Sequence, residues 1–130
     1  MVTDPVADML TRLKNAAMAG LASTTIPFSG FKWQIAELLK KEGYLQSISR
    51  KGRAVRKYIV LNLAYEDKKP KLAEVKRVSK LSRRIYHGVA EIRPVRQGYG
   101  LAVYSTPRGL LTDKDARRAR VGGELLFKIW

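Results

Sequence analysis

The chain has no cysteine and one histidine, His87. Disulfides and thiolate metal centres are therefore excluded, and one imidazole cannot build a histidine-rich metal site. No stretch approaches the ~18 consecutive apolar residues of a spanning helix, and no apolar signal region opens the chain, so no membrane role is expected and the cytoplasm is the default compartment. A phosphate-binding GxxxxGK[ST] motif is lacking, and Gly98-Tyr99-Gly100 carries none of the rest of a dinucleotide fingerprint, so no cofactor is expected. Low-complexity tracts, heptads and internal repeats are missing too, which leaves any binding surface to folded elements.

Acidic residues are also few: 11 against 26 Lys and Arg, for a formal charge of +15 in 130 residues. Solubility needs a charge of magnitude only ~2–8 in a small domain. The excess predicts a polyanionic partner, and nucleic acid is favoured. Apolar residues make up 45% of the chain, enough for a core and against disorder. The length suits one ordinary domain or two very small ones.

Local patterns predict an α+β chain in two parts, residues 1–65 and 66–130. In the first part Asp4 is placed to cap a helix with Pro5 at its first position. Val6, Met9, Leu10, Leu13 and Ala17 then form a helical stripe closed by Gly20. Arg12, Lys14 and Asn15 lie off that stripe, on a face that is either solvated or in contact with phosphate. A strand follows from Thr24 to Phe28, with Pro27 suggesting a sheet edge. Phe31, Ile35, Leu38 and Leu39 mark a second helix stopped by Gly43. Residues 44–49 and 55–63 read as a hairpin around Arg50-Lys51-Gly52-Arg53. With Arg56 and Lys57 that tip holds five cations and no acid, a candidate contact for a nucleic-acid backbone. The order is α-β-α-β-β.

Residues 64–72 have the composition of a linker. The second part reads as mostly β with one short helix: strands at 73–78 and 83–87 around Lys80-Leu81-Ser82, and another at 100–104. Residues 68–84 hold eight cations, Lys80 and Arg84 among them, and one acid, Glu74, which predicts a basic face. Both parts are basic, with nets of +6 (10 cations, 4 acids) up to residue 65 and +9 (16 cations, 7 acids) beyond it.

The most informative stretch runs from Tyr104 to Arg118. A strand ends in Ser105-Thr106-Pro107-Arg108-Gly109, and Thr112 with Asp115 three residues on has the form of a capping box. The helix so started runs through Ala119, with Arg117, Arg118 and Arg120 toward its end, and stops near Gly122-Gly123. The Ser105 and Thr106 hydroxyls can donate to and accept from base edges and ribose hydroxyls, and Arg108 offers a phosphate fork. The competing reading is an ordinary turn-rich connection. Tyr86 is either a core aromatic or a stacking platform for an unpaired base.

Ser105-Thr106-Pro107-Arg108-Gly109, Thr112-Asp113-Lys114-Asp115-Ala116-Arg117, Val121-Gly122-Gly123-Glu124-Leu125-Leu126 and the terminal Trp130 together resemble the C-terminal signature of the bacterial S-eight family of small-subunit ribosomal proteins. Asp4-Pro5-Val6-Ala7-Asp8-Met9-Leu10-Thr11-Arg12 and Lys14-Asn15-Ala16 resemble that family's first helix, so the resemblance covers the whole chain. The chain departs from the family at Leu81-Ser82, where Pro-Gly is usual, and at Pro94, one place late. The resemblance implies two small α/β domains packed together and direct binding to a helix in the central domain of small-subunit ribosomal RNA, early in assembly and among neighbouring ribosomal proteins. It implies, in some bacteria, repression through a similar helix in the protein's own messenger RNA. Family contacts carry over to Ser105-Thr106, to Tyr86 and to the turn Gly122-Gly123-Glu124, where Glu124 would accept from base amino groups or orient the loop.

Two other classes compete. A metal-dependent nuclease would need Asp4, Asp8, Asp113 or Asp115, which read better as helix caps and first-turn charges. A DNA-binding regulator would lay the helix from Asp113 to Arg120 in a major groove. The small hydroxyl-bearing loop suits an irregular RNA surface better than a regular groove.

Overall fold

The computed structural model describes residues 5–53, 55–80 and 82–130. The cap at Asp4 and the turn residue Leu81 lie outside the described residues. The chain is α+β and divides into two compact units, one ending at Ala73 and the other running from Glu74 to Trp130.

The first unit carries α1 (Pro5–Met18), β1 (Ser23–Pro27), α2 (Gly30–Lys41), β2 (Leu45–Arg53) and β3 (Arg56–Leu63). Helix α1 begins at Pro5 and buries Val6, Met9, Leu10, Leu13, Ala16 and Ala17, the expected stripe with one addition. Both helices end in the same motif. The N–H groups of Gly20 and Leu21 bond the carbonyls of Ala17 and Ala16, and those of Gly43 and Tyr44 bond Lys40 and Leu39. Helix α2 starts where the Ser29 hydroxyl accepts from the Lys32 N–H at 3.2 Å.

The buried face of α2 is Lys32, Ile35, Ala36 and Leu39, whereas Phe31 is exposed and Leu38 half-buried. The apolar spacing alone fits either face; the long aliphatic stem of Lys32 takes the place expected of Phe31. Burial pulls the Lys32 amine below its ordinary value; Asp8 opposes that shift and Arg12 adds to it.

The strands form an antiparallel sheet in the order β1-β3-β2, which leaves β1, with Pro27 at its end, on an edge as expected. Ile26 pairs with Ile59 and Leu45 with Leu63, and these side chains are buried together with Leu61. The hairpin between β2 and β3 is longer than the sequence suggests. The ladder continues to the pair Arg53↔Arg56, so Arg50, Lys51 and Arg53 are strand residues and not a turn. Only Gly52 in that run has intrinsic turn chemistry, and it is accommodated inside the ladder.

The segment with a linker's composition is folded: β4 (Tyr65–Glu66) and β5 (Lys69–Pro70) pair across Asp67 and Lys68, both with positive φ, the backbone of a type I′ turn. Lys71 Nζ closes on Glu66 Oε2 at 2.9 Å.

The second unit holds β6 (Val75–Arg77), β7 (Tyr86–His87), β8 (Leu101–Thr106), β9 (Gly109–Thr112), α3 (Asp113–Ala119) and β10 (Gly123–Ile129). Its antiparallel sheet runs β6-β10-β8-β9, with β7 also on β10. Strand β10 is therefore central. Its Leu125, Leu126, Phe127 and Ile129 are all buried, so no polar-apolar alternation marks it in the sequence. Tyr104 and Leu125 join Ile92, Val95, Ala102 and Ala116 in a core cluster, with Trp130 packed against it. No helix of the described residues is long and apolar enough to cross a membrane.

Candidate nucleic-acid interface

The N-terminal end of β10 is where three distant stretches of sequence meet. Gly123 pairs with His87 and Glu124 with Tyr86 on one side, while Glu124 pairs with Ser105 on the other. Ser105 in turn pairs with Leu110 and Thr106 with Gly109. Direct cross-strand partners lie on the same face of a sheet. Tyr86, Glu124 and Ser105 therefore form a row, on the face opposite Leu125 and Tyr104.

Two glycines make this convergence sterically possible. A Cβ on Gly123 would collide with the carbonyl oxygen of Ser105 and come within 2.9 Å of Thr106 Cγ2. One on Gly122 would collide with the carbonyl of His87 and lie 2.9 Å from Gly88 Cα. The expected glycine turn is thus the opening of the central strand, and the glycines let β7 and β8 close on it.

Each side chain in the row has a distinct state. The Tyr86 ring is 64% exposed, which removes it from the core. Glu124 accepts from Arg84 Nη1 at 3.3 Å, with the Glu124 side chain 13% exposed and that of Arg84 53% exposed. The carboxylate is thus committed to a guanidinium on a side chain that is itself half-exposed, and its first effect is to aim Arg84. The Ser105 hydroxyl makes no hydrogen bond among the described residues.

Thr106 differs. Its hydroxyl donates to the Gly109 carbonyl at 2.8 Å and accepts from the Arg108 N–H at 3.1 Å, closing the β8–β9 hairpin at Pro107-Arg108. The stretch expected as a strand-to-helix loop is a strand end followed by a tight hairpin. Ser105 is its free hydroxyl and Thr106 its internal staple.

Other groups hold this edge in place. Ser79 is fully buried; its hydroxyl accepts from the Ile85 N–H at 2.9 Å and donates to the Ile85 carbonyl at 3.3 Å, fixing the segment that leads into β7. Lys80 is exposed on that segment and bridges through its backbone to Arg83. His87 Nδ1 lies 2.9 Å from the Tyr104 hydroxyl. Burial, with Asp113 and Glu91 adding and Arg117 opposing, pushes that phenol up to about 12, so it remains a neutral hydrogen-bonding group. Asp113 is 4% exposed; its Oδ1 accepts from the Ala102 N–H at 3.0 Å and its Oδ2 from Arg117 Nη1 at 3.1 Å, tying α3 to β8. The roles of Ser79, His87 and Asp113 were missed in the sequence, because each depends on a partner brought near by the sheet and not by local spacing.

Thr112 caps α3 as expected, accepting from the Asp115 N–H at 3.1 Å, but the helix ends at Arg120, whose left-handed backbone precedes the glycines. Arg117 pairs with Asp113 and Arg118 lies 3.9 Å from Asp115, so neither offers a bare cation. The remaining expected contacts belong to the first unit. Arg12 is engaged with Asp8 Oδ2 at 3.1 Å and the Thr25 carbonyl at 3.0 Å. Lys14 is half-buried and Asn15 exposed. Arg50 rests on the Phe28 ring, 5.2 Å from its centroid, while Lys51, Arg53 and Arg56 are exposed on the β2–β3 hairpin.

A family model described as "Ribosomal protein S8" matches residues 4–130. Proteins named "Small ribosomal subunit protein uS8" align along the full length. The one from Mycoplasmopsis pulmonis is 44% identical, covering 100% of this chain and 98% of the relative. That from Dictyoglomus thermophilum is 46% identical over 99% of this chain and 98% of its own. That from Thermus aquaticus is 41% identical with both chains fully covered.

Proposed function

The chain belongs to the ribosomal protein S8 family, and from that premise we propose that it is a structural constituent of the small ribosomal subunit in the cytoplasm that holds ribosomal RNA through the strand-end row Tyr86, Glu124 and Ser105. The observation that carries this reading is the convergence itself: strand register sets an exposed aromatic, Tyr86, and a hydroxyl without a partner among the described residues, Ser105, on either side of Glu124, which holds the Arg84 guanidinium. A ring on a sheet can stack on an unpaired base, a hydroxyl can discriminate base edges or a ribose 2′-OH, and Arg84 with Arg108 can take phosphate.

The RNA is a helix of the central domain, with a bulged or splayed base for Tyr86, and the neighbours in the particle are other ribosomal proteins. A helix of similar shape in the chain's own messenger RNA would fit the same surface. The role is binding and not catalysis: of the carboxylates a nuclease would use, Asp8 pairs with Arg12, Asp115 lies 3.9 Å from Arg118 and Asp113 is held by Ala102 and Arg117, while Asp4 lies outside the described residues. A DNA-reading role for α3 is disfavoured because Asp113 and Ala116 are buried and its arginines are paired along its own seven residues.

A chemical footprint on deproteinised small-subunit ribosomal RNA tests the proposal. One discrete protected helix, with protection weakened by Tyr86→Ala, is the expected result. Diffuse protection that Tyr86→Ala leaves unchanged would mean that the strand-end row does not read RNA.

A further inference from the structure

Strand β2 is the second edge of the first unit's sheet, and unlike β1 it holds no proline. The Leu63 N–H bonds the Ala22 carbonyl and the Phe28 N–H bonds the Lys57 carbonyl, so the odd-numbered residues of β3 turn their backbone groups toward β1. Its even-numbered residues Tyr58, Val60 and Asn62 then bond their β2 partners Lys51, Ser49 and Ser47. The N–H and C=O groups of Ile48 and Arg50 therefore point out of the sheet, and no described residue bonds them. The side chains of Ile48 and Arg50 pair with those of Leu61 and Ile59, both fully buried, on the face that α2 covers. There a groove of about 380 Å³ is lined by Trp33, Glu37, Lys40 and Lys41 of α2 and by Ile48. Phe28 packs against both Trp33, with 6.4 Å between ring centroids, and the Arg50 guanidinium. Lys40, Lys41 and Arg50 are exposed without an ion pair among the described residues, and Glu37 is the one acid on the lining.

We infer that this edge and groove dock an extended acidic segment of a protein neighbour, which adds to the sheet as a fourth strand beside β2. The inference goes beyond the RNA reading and does not rest on it. Outward N–H and C=O groups recurring at every second residue match another peptide backbone, as in strand addition to an exposed edge. Phosphate offers acceptors alone and would leave the carbonyls of Ile48 and Arg50 facing an anion. A second copy of β2 is excluded by its own charge, since Arg50, Lys51 and Arg53 would meet like charges across the new pairing. Residues two apart on a strand are about 6.6 Å apart, so an apolar residue opposite Ile48 and an acid two places on, opposite Arg50, engage together. The apolar side chain enters the groove beside Trp33, and the acids flanking it meet Lys40 and Lys41 at the rim.

The probe is a capped heptapeptide, Glu-Thr-Val-Thr-Glu-Thr-Glu, whose alternate side chains set Val between acids on one face. Its control carries Pro in place of the last two Thr, which keeps the charge and removes the strand. Each is titrated into the full-length protein and followed by tryptophan emission, to which neither peptide contributes, and by hydrogen exchange of the β2 amides. In the free protein the Ile48 and Arg50 amides should exchange fast while those of Ser47, Ser49 and Lys51 are protected. The Thr peptide should bind one to one and slow exchange at Ile48 and Arg50 by at least about tenfold, whereas the Pro peptide should do neither. Lys40→Glu/Lys41→Glu, at two exposed positions, should bind the Thr peptide at least about tenfold more weakly, because attraction at the rim becomes repulsion.

No saturable binding of the Thr peptide, equal binding of the Pro peptide, or unaltered exchange at Ile48 and Arg50 overturns the docking edge. Protection of those two amides by random-sequence duplex RNA and not by the Thr peptide would also overturn it, assigning the groove to RNA. Should the Glu pair not fold, the two peptides and the amides of the parent protein still decide. Failure of the strand-end reading is separable, since Ser105→Ala would then leave the ratio of specific to random RNA affinity unchanged whatever β2 does.

Discussion

Replacing Asp113 is the most demanding test of how the strand end is held. Its carboxylate is 4% exposed and bonds the Ala102 N–H at 3.0 Å and Arg117 Nη1 at 3.1 Å. Ala102 is itself 1% exposed, so in Asp113→Ala its N–H cannot turn to water. A bond from a buried N–H to a charged acceptor is worth ~1.5–3 kcal/mol, and stranding the donor costs a similar amount rather than a small one. The Arg117 pair adds less, ~0–1 kcal/mol, because the Arg117 side chain is 34% exposed and solvent screens it. The expected loss is therefore about 2–4 kcal/mol for Asp113→Ala, and about 1–1.5 kcal/mol for Asp113→Asn, which keeps an oxygen for Ala102. Trp33 and Trp130 fall in different units, so urea unfolding followed by Trp130 fluorescence in a Trp33→Phe background reports the second unit alone. A change below about 0.5 kcal/mol for Asp113→Ala would refute the reasoning, because it would mean that the buried contact carries no net stability.

Two further outcomes concern the rest of the fold. Leu39→Asp should destabilise the first unit by several kcal/mol, roughly 3 or more, by burying an unpaired carboxylate, whereas exposed Lys41→Ala should fall within about 0.5 kcal/mol of the parent; Trp33 fluorescence in urea checks both. The Tyr104 phenol, pushed from its ordinary 10.0 up to about 12 chiefly by burial, gives up its proton later in the folded chain than in the unfolded one. Its contribution is complete below pH 10 and lost as pH rises through about 12, so stability should fall with pH across that window, and Tyr104→Phe should flatten the decline in urea midpoints taken from pH 9 to 12.

What could be read from the sequence follows from how far each determinant reaches. Helix ends are local: Gly20 and Gly43 stop α1 and α2 through carbonyls within five residues, and Thr112 starts α3 through an N–H three residues on. The edge position of β1 was legible in Pro27, and the α-β-α-β-β order in the period of the apolar residues. Strand β10 was not legible, because a strand covered on both faces has no alternation to read, and its glycines resemble a turn until β7 and β8 are seen closing on them. The same distinction separates Ser105 from Thr106. Both hydroxyls look equally available in the sequence, yet the hairpin spends one on Gly109 and Arg108 and leaves the other free. Residues 64–72 have few apolar groups and still fold, because a two-residue turn with both φ values positive needs only backbone pairing.

The central claim is that the row Tyr86, Glu124 and Ser105 reads RNA, and it is tested most directly by one ratio. Full-length Tyr86→Ala/Ser105→Ala is titrated at one fixed salt concentration against the small-subunit ribosomal RNA helix and against random-sequence duplex RNA, with circular dichroism confirming the fold. Thr106 is left intact because its hydroxyl closes the hairpin. Losing a stacked base costs ~1–3 kcal/mol and losing a hydroxyl contact ~0.5–1.5 kcal/mol, so the ratio of specific to random affinity should fall by at least about tenfold. Binding to random duplex should hardly move, since its phosphate contacts remain. An unchanged ratio in a folded variant would contradict the account and leave the convergence at the end of β10 as a matter of packing alone.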